Sequence, residues 1–235
     1  MQIRRQFLNR LDPAPEPHDV VVVIDVLRSF STAAYAFAAG ASVIHPVETI
    51  SEALLLQEML PEAITTGAIA GGDPAPGFDF GNSPSALAAA NLQGRELIQT
   101  TVAGVRGLLR FAHARAVFAG SLVCAQATAN AIRQLGAQEV MLLITGEWVD
   151  RDGDEDVACA DYLEALLLGE CPDPEPFEER VRNSDFGRRF TAGDNPSLPL
   201  SDLKLCAQAD RFDFAMPAMR DKGRFVLLAK RAEHF

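Results

Sequence analysis

Val20-Val21-Val22-Val23-Ile24-Asp25-Val26-Leu27-Arg28-Ser29-Phe30-Ser31-Thr32-Ala33-Ala34 is the stretch that decides the fold. The unbroken β-branched run at 20–24 reads as a strand buried on both faces, as in parallel sheets covered by helices. It ends on an aspartate, and an arginine follows before an Ala-rich helix begins. An acid at the carboxyl end of a buried strand lies where open α/β sheets place ligands and metals. Such a turn can hold a cation on Asp25 and an anion on Arg28. The plainer alternative is an N-capped helix with a surface ion pair.

Outward from this turn, strand and helix patterns alternate. The helix after Arg28 stops at Gly40, Ala41 to Val47 reads as a second strand, and a helix capped by Thr49 or Ser51 runs through Leu60. This spacing predicts parallel βαβ units with right-handed crossovers. Further strands are expected at Glu96–Thr100, Ala116–Gly120 and Glu139–Thr145, and helices at Pro84–Asn91, from about Ser121 to Leu135, at Val157–Leu168 and at Asp202–Asp210. Asp213–Met219 and Arg224–Lys230 read as closing strands, and residues 171–176 as an exposed connection. A proline-rich lead-in precedes Val20, and the Gly- and Pro-rich span 67–84 reads as a long loop ordered by Phe78 and Phe80 around Asp79. The fold class is therefore α/β, three-layer α/β/α with a largely parallel sheet. Residues 1–235 read as one domain; two lobes with a break near 110–116 are the alternative.

The net charge of −11 excludes a sequence-independent grip on nucleic acid. It also requires that an anionic ligand meet a local basic or metal-loaded site. Apolar runs stay shorter than the roughly 18 residues of a membrane span, and Met1 to Arg10 lacks the apolar core of a signal peptide. The scattered Cys124, Cys159, Cys171 and Cys206 read as reduced thiols, so the cytoplasm is the expected compartment. The Ala-rich surfaces are compatible with a homodimer.

Polar residues recur at strand ends: Asp25, Thr100, Ser121 and Thr145. In a parallel sheet these ends share one edge, which the Gly/Pro loop is expected to overhang. A second constellation, Asp150 to Asp156, precedes a helix, and its plain reading is charge complementing the helix dipole. Placed beside Asp25, the same hard oxygens suit magnesium, which takes one or two carboxylates plus substrate phosphate. Glu155 and Asp161 lie six residues apart and cannot face the same way from one regular helix. No GxGxxG, Walker or GxSxG sequence is present, and Leu27 stands where a haloacid-dehalogenase-type phosphatase needs a second Asp. The four histidines show no ligand-like spacing, and Trp148 is read equally well as cleft wall or core.

Together these motifs have an order that resembles the 2-phosphosulfolactate phosphatase family, magnesium-dependent acid phosphatases. The resemblance rests on Val-Ile-Asp-Val-Leu-Arg-Ser at 23–29, Ala-Gly-Ala at 39–41, Gly-Phe-Asp-Phe-Gly-Asn-Ser-Pro at 77–84 and Thr100-Thr101. Ala-Gly-Ser-Leu at 119–122, Asp-Glu-Asp-Val-Ala-Cys-Ala at 154–160, and Asp202, Cys206-Ala207, Asp210 and Met216-Pro217 complete it. It implies hydrolysis of a small phosphorylated hydroxy acid with Mg2+. Asp25 with Glu155 or Asp156 would hold the ion and Arg28 would clamp the phosphoryl or carboxylate group, so that Asp25, Arg28 and Glu155 carry the catalysis. Asn82, Ser83, Thr100, Thr101 and Ser121 would contact the substrate. Three loops depart from the family pattern: 67–72 lacks a Glu-Arg pair, 100–105 reads TTVAGV where an amide and a hydroxyl are usual, and 144–146 reads ITG in place of a Cys-Ala-Gly type end. These departures motivate the alternative of a non-catalytic member that binds a phosphorylated or carboxylated metabolite. A scaffold that offers the 150–156 acidic loop to a partner is a third reading.

Overall fold

The first strand is one that the apolar pattern hides. β1 (Gln2–Phe7) reads QIRRQF, is largely exposed and forms an edge of the sheet, where charged side chains are usual. β2 (Val20–Ile24) is wholly buried, as its composition requires. Burial of each such side chain contributes roughly 1.5–3 kcal/mol. α1 (Ser29–Ala38) follows, and Gly40 with φ +101° takes the chain out of it. β3 (Val43–Pro46) leads to α2 (Ile50–Met59). Thr49 is the cap of α2: its hydroxyl accepts from the Glu52 amide at 3.1 Å while the Glu52 carboxylate accepts from the Thr49 amide at 3.1 Å.

β4 (Ile64–Gly67) was not expected, because ITTG holds a single large apolar residue. α3 (Pro84–Ala89) and β5 (Glu96–Thr100) fall close to the expected ranges; α4 (Gly104–Arg110) follows, and β6 (Ala116–Gly120), α5 (Ala125–Gln134) and β7 (Glu139–Ile144) again lie near theirs. α6 (Asp154–Leu167) starts three residues before the expected Val157, so Asp154, Glu155 and Asp156 form its first turn. α7 (Glu175–Asn183) and α8 (Asp185–Ala192) were also unforeseen: their charged sequences bury only a narrow apolar edge that includes Val181 and Phe190. α9 (Leu200–Cys206), β8 (Phe214–Asp221), β9 (Arg224–Leu227) and β10 (Lys230–Arg231) close the chain. The computed structural model describes residues 1–11, 19–69, 73–221 and 223–235; the lead-in at 12–18, with His18, and the 70–72 part of the Gly/Pro loop lie outside the described residues.

The described strands form one sheet in the order β1-β7-β2-β6-β8-β9-β3-β5-β4, with β10 on β8. β1, β7, β2 and β6 are mutually parallel, as are β3, β5 and β4; the antiparallel hairpin β8-β9 joins the two blocks. The expected parallel βαβ unit of β2 and β3 does not form: the three antiparallel steps β6-β8, β8-β9 and β9-β3 leave β3 running opposite to β2. Both edges of β2 are taken, with Ile24 opposite Gly120 of β6 and Ile144 of β7. α1 therefore connects the blocks. Alternate residues of β2 enter two cores: Val20, Val22 and Ile24 pack with residues of α5 and α6, and Val21 and Val23 with residues of α1 and α4. This is the three-layer α/β/α arrangement. Among the described residues no helix is long and apolar enough to cross a membrane.

The capping box at α2 lies on exposed residues remote from β2. Thr49→Ala is expected to cost about 1 kcal/mol in denaturant unfolding, with turnover unchanged.

Candidate active site

The Asp25 turn is built by continuing β2 one residue past its end. The Asp25 amide donates to the Gly120 carbonyl at 3.1 Å, and the Asp25 carboxylate accepts from the Ser29 amide at 3.0 Å. Asp25 thus serves the orphan donors of α1, whose preceding residue Arg28 makes no side-chain cap. The Leu27–Arg28 peptide within this turn is cis. Gly104, at the start of α4, closes on the same carboxylate: a Cβ there would lie 2.8 Å from the second Asp25 oxygen and 3.0 Å from Phe30. Glycine is what lets α4 approach.

Asp156 holds the neighbouring strand ends together. One oxygen accepts from the Val26 amide at 2.8 Å, and the other from the Gly146 amide at 2.7 Å and the Thr145 amide at 3.1 Å. The Thr145 hydroxyl donates across to the Ile24 carbonyl at 2.9 Å. Both Asp156 oxygens are engaged by these amides, whereas one oxygen of Glu155 is not. Glu155 is 1% exposed, and its Oε2 has no hydrogen-bond partner. A Cβ on Gly146 would stand 2.9 Å from Glu155 Oε1, so this turn too is closed around a carboxylate.

Three buried acids in one region shift one another's protonation. Burial is the main cause of the raised Asp25 carboxyl, and the Ser29 and Gly104 amides and the Arg151 charge oppose it. Glu155 is pushed up to about 7, chiefly by burial; the Asp25 charge adds to this and Arg151 opposes it. Asp156 lies well above its usual range through burial and the charges of Glu155 and Asp25.

Arg28 is held by a different set of contacts. Its Nη1 donates to Asp202 at 2.6 Å and to the Ser197 carbonyl at 2.9 Å, and its guanidinium lies 5.4 Å from the Phe190 ring centre. The other Asp202 oxygen accepts from the Ser83 hydroxyl at 2.9 Å and the Ser85 amide at 3.0 Å. Asp202 therefore locks α9 onto the start of α3 and fixes Arg28 between them.

Asp25, Arg28, Asn82 and Thr101 line one cavity of about 750 Å³, with Trp148 and Phe186 on its wall. The Gly/Pro loop does overhang it, through Ala68, Ile69 and Asn82. The later part of that loop is anchored by Asp79, whose carboxylate accepts from the amide and hydroxyl of Thr65, each at 2.9 Å. The Asn82 side-chain oxygen is buried without a partner. Ser83, Thr100 and Ser121 do not reach the cavity wall: Ser83 caps α3, and Ser121 shares a 2.7 Å hydrogen bond with Ser31 in the interior. Glu155 and Asp156 lie next to the Asp25 turn but off the wall. Asp161 points to Arg5 and Arg180, as the six-residue spacing from Glu155 requires. The other acids of the cluster are spread outward: Asp150 pairs with Arg189, Asp154 with Arg180, and Asp152 accepts from the Asp154 amide. Trp148 is a cleft residue, 36% exposed.

Two cavity residues, Arg151 and Arg189, escaped the reading of the sequence. The available signal for Arg151 was a single cation inside an acidic run. Arg189 had none, because α8 itself was not foreseen.

Among the described residues no three His, Cys, Asp or Glu side chains converge as a preformed metal cage. Two carboxylates, Asp25 and Glu155, are nonetheless adjacent enough for the charge of one to raise the other. The unpartnered Glu155 oxygen and this donor chemistry fit a hard divalent cation completed by substrate and water.

A family model described as 2-phosphosulpholactate phosphatase matches residues 8–220. The chain is 32% identical over 206 residues to a probable 2-phosphosulfolactate phosphatase of Bacillus subtilis, covering 87% of this chain and 89% of that one. It is 34% identical over 226 residues to the protein of that name from Carboxydothermus hydrogenoformans, covering 90% and 91%. The Thermus thermophilus protein of that name is 31% identical, covering 95% of this chain and 99% of its own length.

In metal-free protein the Glu155 carboxyl should make stability pH-dependent. Between its unfolded value of 4.5 and its native value of about 7, the native state keeps a proton that the unfolded chain has released. Stability therefore falls as pH rises through this window, on the order of 3 kcal/mol in all. Denaturant titrations in chelator at pH 4.5 to 7.5 should show the fall in wild type and a flatter profile in Glu155→Gln.

Proposed function

The chain belongs to the 2-phosphosulpholactate phosphatase family, and we propose on that footing that it hydrolyses the phosphomonoester of a small hydroxy acid in the cavity over the Asp25 turn. The single observation that carries this reading is the unpartnered, buried Glu155 oxygen behind the Asp25 turn, whose Asp25 and Arg28 line the cavity. Two carboxylates with an unused oxygen favour a cation, and a cation beside an arginine favours a phosphate. The relatives are named for 2-phosphosulfolactate, a skeleton that carries a phosphoryl group and further acid groups, and a substrate of that class matches a cavity with cationic walls.

Asp25 and Glu155 are the residues we assign to magnesium, with Asp156 holding the turn that orients them. A bound magnesium ion would supply positive charge at the phosphoryl oxygens as negative charge builds there. Arg28, kept in place by Asp202 and Phe190, binds an anionic group of the substrate through the part of its fork not used by Nη1. Thr101 and Asn82 supply neutral polar contacts at the cavity wall. Of the donors expected from the sequence, Ser83, Thr100 and Ser121 serve the frame behind these groups. Water attacks phosphorus, the ester P–O bond breaks, and a proton passes to the departing oxygen to give the hydroxy acid and inorganic phosphate.

Val102 and Ala103 occupy the wall beside Thr101. They support a substrate that is less polar at this edge than the usual family loop would hold.

A panel of phosphomonoesters assayed with magnesium and with chelator, on wild type and Asp25→Ala, tests this function. Hydrolysis that needs magnesium and drops about 100-fold or more in the variant is expected. Turnover indifferent to both chelator and substitution would remove the assignment.

A further inference from the structure

Arg28, Arg151 and Arg189 are the arginines on the cavity wall, and their partners differ. Arg28 is neutralised by Asp202 and Arg189 by Asp150. Arg151 forms no salt bridge among the described residues, although the chain carries a net charge of −11. Its position is nevertheless constrained. Its amide and carbonyl pair with those of Trp148 at 3.3 and 2.9 Å, which closes a tight turn over residues 148–151. Its guanidinium lies 4.5 Å from the Phe186 ring centre and 6.0 Å from that of Trp148. Stacking on aromatic faces orients an arginine without neutralising it.

Arg151 also lines the same cavity wall as Asp25. Its charge acts on both Asp25 and Glu155. Arg28 reaches the cavity from a different support, with Nη1 committed to Asp202 and Ser197 and its guanidinium 5.4 Å from the Phe190 ring centre. An oriented, unpaired guanidinium beside two carboxylates is suited to an anion that those carboxylates cannot hold by themselves.

We propose that Arg151 is the catalytic residue that binds the phosphoryl group, and that Arg28 instead orients the acid group on the substrate's carbon skeleton. This rests on the phosphatase reading and assigns the two cations of that site. The Arg151 N–H groups donate to non-bridging phosphoryl oxygens while the water oxygen bonds to phosphorus and the ester P–O bond breaks. The planar fork matches two such oxygens at once, which a lysine cannot do.

The test uses the full chain with magnesium and two substrates: p-nitrophenyl phosphate, which has only the phosphoryl group, and 2-phospholactate, which adds a carboxylate. Arg151→Gln should lower kcat/KM about 100-fold on both substrates, mainly through kcat, and Arg151→Lys should recover part of the loss. Arg28→Lys should raise KM for 2-phospholactate by a clearly larger factor than it raises KM for p-nitrophenyl phosphate. An Arg151→Gln loss confined to 2-phospholactate, or no loss, overturns the assignment. Inorganic phosphate binding by calorimetry is the second measurement. About tenfold weaker binding in Arg151→Gln, or in Arg151→Lys if the glutamine variant does not fold, supports the role, and unchanged binding overturns it. Wild type that hydrolyses neither substrate defeats the phosphatase reading, and the phosphate titration still decides Arg151.

Discussion

The Asp156 carboxylate is the contact on which the rest of the site depends. It accepts from the amides of Val26, Thr145 and Gly146, and so ties the ends of β2 and β7 to the first turn of α6. Hydrogen bonds to a charged acceptor contribute about 1.5–3 kcal/mol each, and their loss would leave buried amides unpaired. The same tie sets where Glu155 can be, because the two acids are adjacent in one helical turn. Gly146 follows from it: a side chain there would strike both carboxylates. A structural bond and a chemical group are thus fixed by one turn of helix.

The electrostatic consequence is a concentration of acid in largely buried positions at the edge of the cavity. Asp25, Glu155 and Asp156 all have carboxyls raised by burial. A protein core tolerates such a group by protonating it, pairing it or giving it a cation. Asp156 has its amides and Asp25 has the start of α1, whereas one oxygen of Glu155 has neither. Arg28 and Asp202 form a separate buried pair whose remaining oxygen is met by Ser83 and Ser85. The cavity is therefore charged locally in a chain that is acidic as a whole.

The sheet brings these groups together by an indirect path. β2, β6 and β7 supply Asp25 and its supports, while Asn82 and Thr101 come from loops of the other parallel block. The β8-β9 hairpin lies between the blocks, and α8 provides the outer wall with Phe186 and Arg189. The Gln99 side chain, donating to the Ser29 carbonyl at 3.0 Å, is one link across that divide.

Much of this was legible before folding because it is local. The β2 run, the Asp25 turn, the Thr49 cap, and the acids opening α6 are set by side-chain type over a few successive residues. What escaped depends on neighbours distant in the chain. β1 is a strand because it lies along β7, and α7 and α8 bury too few apolar residues to announce themselves. The parallel βαβ unit expected of β2 and β3 failed because periodicity specifies a buried strand without naming its partners or their direction. Likewise, the sequence by itself determined that acids and arginines would stand near the end of β2. Only the tertiary structure decided their tasks, through contacts such as Val26–Asp156, 130 residues apart, and Arg28–Asp202, 174 apart. The physical reason is that a carboxylate's role is set by which amides and cations surround it once it is buried, and those arrive from the rest of the chain.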